Sequence, residues 1–133
     1  MSMVIYPLGL PDVVAIHNTV IERFGGLAGT RDSGLLESAL AQPFQAFGGV
    51  ELYPSLPQKA AAYAWGIAKN HPFNDGNKRT AIACMAAFLK GNGMRFKPRH
   101  DELYDAICGV AEGIWDLPTF SAWVAENTAE IVR

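Results

Sequence analysis

No stretch of this sequence carries enough uninterrupted apolar residues to cross a bilayer. The longest charge-free apolar runs, residues 60–68 and 81–89, reach about half of the ~20 residues that a spanning helix needs. The amino-terminal stretch MSMVIYPLGLPDVV lacks a basic region followed by a sustained apolar one, so no secretory leader is read there and a cytoplasmic location is expected. Cysteine is scarce. Both cysteines, Cys84 and Cys108, fall within predicted apolar helices, which fits reduced thiols rather than a disulfide framework or a ligand pair. Charge of one sign is lacking too: 11 basic and 13 acidic side chains leave a net charge of −2. That excludes a whole-surface attraction to nucleic acid or anionic lipid, and any polyanion chemistry must be local. Repeats and low-complexity segments are absent.

What the chain does have is core material. Half of its 133 residues are hydrophobic and 18% are charged, a balance that excludes intrinsic disorder. At this length a single domain over residues 1–133 is expected, burying about two-thirds of the extended chain's surface.

The apolar spacing then divides the chain into elements. In residues 10–24, Val13, Val14, Ile16, Val20, Ile21 and Phe24 recur near helical spacing until Gly25-Gly26 stops the pattern. His17 falls on the apolar side and reads as a hydrogen-bonded, partly buried histidine, with a role in a site as the alternative. The following GGLAGTR lacks the spacing of a phosphate-binding loop and reads as a turn. Asp32 or Ser33 can cap a helix over residues 34–41, which Pro43 ends. Residues 43–57, with three prolines and Gly48-Gly49, read as a surface excursion containing at most a turn of helix. Ser55 can cap an alanine-rich helix from Leu56 that must end near Asn70-His71, because Pro72 disfavours helical dihedrals at the preceding residue.

From Asn77 the sequence NKRTAIACMAAFLKGNG is polar for one turn and then apolar on every side as far as Lys90. That pattern predicts a buried central helix wrapped by others. Met94 and Phe96 alternate with Arg95 and Lys97, a short strand with the apolar pair inward, and helices over residues 101–113 and 118–132 close the chain. A short strand is also allowed at residues 3–6. Trp65, Trp115 and Trp123 lie in predicted helices or their edges and read as core rather than as a nucleobase platform. The expected fold is all-α: a helical bundle around a buried central helix, with at most a short β-hairpin or strand pair.

Between the two strongest helices lie His71-Pro72-Phe73-Asn74-Asp75-Gly76-Asn77-Lys78-Arg79. A helix N-terminus offers unpaired backbone N–H groups and a positive dipole end, and so draws phosphate. Lys78 and Arg79 in that first turn oppose the dipole, since cations belong at the C-terminal end; an external anion explains them. Gly76 permits a tight bend and the close approach of a ligand, while Asn77 can cap the helix or donate to a phosphate oxygen. Asp75 adds a hard carboxylate oxygen of the kind that holds magnesium together with substrate phosphates. His71, at the mouth of the loop, suits a general base for a hydroxyl nucleophile. Phe73 is expected to point into the core and pin the loop. Singly, an Asp-Gly pair reads as a turn and a lone histidine as a helix-end cation; gathered at the head of one apolar helix, these groups read as a phosphate site.

The same stretch resembles the His-x-Phe-x-Asp/Glu-Gly-Asn signature of the Fic/Doc superfamily, most closely its Doc branch, the death-on-curing toxins. Adenylyl-transferring Fic proteins usually continue Asn-Gly-Arg-x-x-Arg. Here Lys78 replaces the glycine and Ile82 stands where the second arginine would be. His17, Phe24-Gly25-Gly26, the segment 29–40 and Phe88-Leu89 with Asn92-Gly93 extend the likeness over most of the chain. The resemblance implies an all-helical domain and a kinase-like toxin that transfers the γ-phosphate of ATP to a threonine of elongation factor Tu, halting translation. In that reading His71 activates the threonine hydroxyl and Asp75 holds Mg2+. Asn77, Lys78 and Arg79 bind the nucleotide phosphates with help from Gly76, and Phe73 and Asn74 support the motif. A lysine in place of glycine fills space beside the phosphates and adds charge, so the phosphorus attacked is expected to differ from that in Fic proteins.

The resemblance further implies an antitoxin of the Phd type whose C-terminal segment docks beside the active site. Many Fic proteins inhibit themselves through a helix bearing Ser/Thr-x-x-x-Glu-Gly/Asn, which neither residues 33–38 nor residues 121–127 match. Control by a separate antitoxin is therefore expected. Three rival readings remain open at this stage. AMP transfer by the same fold is disfavoured by Lys78 and Ile82. A nucleic-acid surface at Arg95, Lys97, Arg99 and His100 competes with a solvated edge-strand face, which the alternation favours. RNA cleavage lacks a second acid–base group beside His71.

Overall fold

The computed structural model describes residues 4–131. Helix α1 spans Leu10–Phe24, with Asp12 accepting the Gly9 N–H at 2.8 Å across its first turn. Helix α2 spans Ser33–Ala41 and is capped by Asp32, whose carboxylate accepts the Leu35 N–H at 3.0 Å. Pro43 does not stop the chain at once but sits in a 3₁₀ turn, Gln42–Phe44. Helix α3 spans Leu56–Asn70 behind a reciprocal cap: Ser55 Oγ accepts the Gln58 N–H, and the Gln58 side chain accepts the Ser55 N–H. Helices α4 (Asn77–Gly91), α5 (His100–Ala111) and α6 (Leu117–Glu126) follow. None of the described helices is long and apolar enough to cross a membrane.

The all-helical expectation holds for the body of the protein and needs three corrections. Two antiparallel strand pairs are present among the described residues, not at most one. Residues 43–57 contain strands β1 (Ala46–Phe47) and β2 (Val50–Glu51), joined through Gly48 and Gly49 at φ 58° and 81°. A Gly-Gly pair accommodates the positive φ values that a two-residue hairpin requires. At the other end of the chain, the helix expected over residues 118–132 stops at Glu126. Residues Thr128–Glu130 turn into strand β4, paired with β3 (Met94–Phe96) in the register Met94↔Glu130 and Phe96↔Thr128. Asn127 caps the end through its side-chain amide on the Trp123 carbonyl at 2.8 Å, and the exposed edge of β3 supplies the partner that makes extension favourable. Val132 lies outside the described residues. So does Met3, and Val4–Tyr6 form no strand.

The third correction concerns the centre. The bundle is organised around α3, not α4: α3 packs against α2, the 3₁₀ turn, α4, α5 and α6. Ile82, Ala83, Ala86 and Ala87 leave one side of α4 half-exposed. Alanine carries too little apolar surface to force burial, so a helix apolar on every side through alanines need not be enclosed. The same residue makes α3 a good hub, because small side chains let neighbours close in. At Gly66 the approach is closest: a Cβ there would stand 2.9 Å from both Cα and Cβ of Ala39 on α2. Gly66→Ala is therefore expected to destabilise the fold by about 1–3 kcal/mol, despite the higher helix propensity of alanine. Chemical denaturation with an unchanged m-value would check this; a stabilised variant would contradict the packing described.

Candidate active site

The loop from α3 to α4 begins with a backbone anomaly. His71 caps α3 in the left-handed conformation, φ 47° and ψ 56°, and no other non-glycine residue among those described has a positive φ. Pro72 disfavours the right-handed helical region at His71, and histidine tolerates the left-handed one better than most residues. The carbonyls around this turn are all engaged. Arg31, in the loop between α1 and α2, donates from Nε to the His71 carbonyl at 2.8 Å and from Nη2 to the Asn70 carbonyl at 3.0 Å. The backbone N–H groups of Arg31 and Asp32 both donate to the Pro72 carbonyl.

The middle of the loop is fastened from below. Phe73 is buried, as expected, and stacks on the His17 ring with centroids 3.8 Å apart and planes within 7°. His17 is more buried than its sequence position suggested, at 1% exposure. Its Nε2 donates to the carbonyl of Asp75 at 2.8 Å, so a histidine of α1 holds the loop's backbone from 58 positions away. The Asn74 side-chain amide donates to the carbonyls of Ala28 and Gly29. Asn77 is buried at the start of α4 with both ends of its amide engaged: Oδ1 accepts the Phe73 N–H and Nδ2 donates to the Phe73 carbonyl, each at 3.0 Å. Instead of capping its own helix or facing outward, its side chain clamps the loop. The N-cap position falls to Gly76 at φ 74°, where a Cβ would press on Val20 Cγ1 at 3.2 Å and Ile21 Cδ1 at 3.3 Å.

With Phe73, Asn74 and Asn77 turned to holding the loop, the exposed side chains left are those of His71, Asp75, Lys78 and Arg79. Asp75, Lys78 and Arg79 form a rim at the first turn of α4, whose leading N–H groups have no helical acceptor, and His71 stands at the head of the loop that leads into it. One carboxylate oxygen of Asp75, Oδ2, accepts the Leu27 N–H at 2.7 Å, which fixes the group while its other oxygen has no protein partner among the described residues. No cluster of three or more His, Cys, Asp or Glu residues capable of holding a metal occurs among the described residues. One free carboxylate oxygen is a hard ligand of the kind that magnesium takes together with phosphate and water oxygens. Lys78 forms no ion pair among the described residues. The Arg79 guanidinium lies 4.2 Å above the ring of Phe24, the last residue of α1.

That contact makes Phe24 a residue the periodicity misread, since its ring is 57% exposed beside the rim instead of packed in the core. The one sequence signal for it is its place directly before Gly25-Gly26, where α1 ends. Arg31 was likewise legible only as part of a glycine-rich turn and of the segment 29–40 that carries the family resemblance. Cys84, on α4 behind the rim, is no candidate nucleophile: burial pushes its thiol up to about 12. The basic strip of Arg95, Lys97, Arg99 and His100 does not join the site. It begins on β3, beyond the far end of α4 and about 20 Å along the helix axis, and Arg99 there pairs with Asp101 at 3.2 Å.

The chain is 41% identical over 104 residues to Toxin Doc of Mycolicibacterium smegmatis, covering 77% of this chain and 80% of that protein. It is 36% identical over 102 residues to Protein kinase doc of Escherichia phage P1, covering 77% and 79%. The match to the family model of the Fic/DOC family runs over residues 7–89, from the residues before α1 through the loop to the buried face of α4. With its signature loop held between α3 and α4 in a helical body of that kind, the chain belongs to the Fic/DOC family.

Proposed function

We propose that this protein is the toxin of a toxin–antitoxin pair and a kinase that transfers the γ-phosphate of ATP to a protein hydroxyl, with a threonine of elongation factor Tu as acceptor. The observation that carries the reading is the division of labour in the loop: three side chains hold it, and His71 at its head and Asp75, Lys78 and Arg79 around one helix N-terminus are left exposed. The names of the two relatives support the toxin and kinase assignments.

In this mechanism His71 accepts the proton of the acceptor hydroxyl as its oxygen bonds to the γ-phosphorus, and the bond from that phosphorus to the β–γ bridging oxygen breaks to release ADP. The backbone N–H groups of Asn77, Lys78 and Arg79 face the phosphates, and the Lys78 and Arg79 side chains add the positive charge. Asp75 holds Mg2+, which neutralises phosphate charge when bound. Lys78 in the place of glycine sets which phosphorus meets the hydroxyl. Activity is controlled by a Phd-type antitoxin docking beside this rim in the cytoplasm.

The test incubates the protein with elongation factor Tu, magnesium and ATP labelled on either the γ- or the α-phosphorus. Label from γ alone is the expected result. Label from α would replace the kinase with an AMP transferase, and no label from either would refute this acceptor and reaction together. In the same assay Asp75→Asn is expected to raise the magnesium needed for half-maximal rate by at least roughly 10-fold, since losing even an outer partner of a metal costs about 10–100-fold in affinity. An unchanged magnesium dependence would remove Asp75 from the metal site.

A further inference from the structure

The carbonyls of Asn70 and His71 are both held by the side chain of one residue of a distant loop, and the mechanism above gives that residue no role. Arg31 meets three consecutive carbonyls: its Nη2 takes that of Asn70 at 3.0 Å, its Nε that of His71 at 2.8 Å and its backbone N–H that of Pro72 at 2.7 Å. A planar guanidinium can bridge two adjacent carbonyls in a fixed orientation, which the point charge of a lysine cannot do. The carbonyls it bridges are the last of α3, where the dipole places negative charge. Without this grip, a residue preceding proline prefers extended dihedrals, and His71 stands instead at φ 47°. Arg31 is itself secured on both sides, by Asn74 on Ala28 and Gly29 and by Asp32 capping α2.

We infer that Arg31 is the positioning residue of the general base: it holds the backbone of His71 in the left-handed conformation on which the placement of the imidazole depends. The inference rests on the phosphoryl-transfer reading above. It assigns Arg31 no contact with ATP or acceptor. Its effect is therefore confined to the step that needs the base, and it disappears when the base is gone.

Arg31→Ala is expected to lower kcat by roughly 100-fold, the scale on which a misplacement of about 1 Å acts, with the KM for ATP unchanged. Arg31→Lys should recover little of the loss, whereas added guanidinium at millimolar concentration should recover part of it in Arg31→Ala. In a His71→Ala background, Arg31→Ala should cost nothing further. The His71 Cα and Cβ chemical shifts, which read backbone conformation without any assay, should move from left-handed values towards extended ones in Arg31→Ala. An Arg31→Ala variant that raises KM at constant kcat would make Arg31 a nucleotide ligand and overturn the inference, as would losses that multiply with those of His71→Ala. Unchanged His71 shifts in a variant with the wild-type Tm would overturn it independently of activity. If the wild-type chain transfers no phosphate, the functional reading fails, and the shifts alone decide whether Arg31 holds the turn.

Discussion

Replacing His71 with alanine is expected to reduce phosphoryl transfer by roughly 10²–10⁴-fold, the contribution of a well-placed general base. ATP binding should stay within a few-fold of wild type, because the phosphates are assigned to the first turn of α4 and not to the imidazole. One complication is built into the position. His71 is left-handed, so a substitution can act through the backbone as well as through the ring. Asparagine separates the two, since it adopts the left-handed conformation readily and carries no base. His71→Asn and His71→Ala should therefore fall by similar factors in single-turnover transfer, while calorimetric titration with ATP shows both variants still binding. A His71→Asn variant within about threefold of wild type would mean that the turn, not the imidazole, is what the reaction needs, against the 10²-fold minimum expected of a base.

The reach of the sequence follows from the range of the interactions that set each feature. The loop was legible because its chemistry is contiguous: His71, Asp75, Lys78 and Arg79 can be read together from nine adjacent residues. The termini of α1, α2 and α3 were legible because proline, glycine and capping residues act over three or four positions. What escaped depends on contacts between distant segments. His17 reaches Asp75 across 58 positions and Arg31 reaches His71 across 40, and neither spacing leaves a periodic trace. Strand β4 exists because β3 lies beside it; read locally, Thr128–Glu130 continues a helical pattern. The ranking of α3 above α4 as the centre was hidden for a different reason. Composition shows that a helix can be buried, whereas the side from which neighbours approach is decided by small residues such as Gly66 on the partner-facing surface.

Phe73→Ala should produce the largest loss of stability among the loop substitutions, about 3–5 kcal/mol, the usual cost of emptying a buried phenylalanine site. Against the ~5–15 kcal/mol by which domains of this size are stable, that is a large fraction. At about 4 °C per kcal/mol it corresponds to a fall in Tm of roughly 12–20 °C. The ring is 1% exposed, belongs to the main core and carries the stack with His17, so no solvent can relieve the cavity cheaply. The consequence extends to the rim, because Asn77 holds the backbone of this same residue and His17 holds the carbonyl of Asp75 two residues on. ATP affinity should therefore fall even at temperatures where Phe73→Ala remains folded. Phe73→Leu separates filling from stacking: it restores most of the volume and loses the aromatic pair, which contributes about 0.5–1.5 kcal/mol beyond burial. A double-mutant cycle between Phe73→Leu and His17→Gln should then show coupling of that size. Additive losses, or a Tm fall of under about 4 °C in Phe73→Ala, equivalent to about 1 kcal/mol, would mean that the loop does not draw its rigidity from the core beneath it.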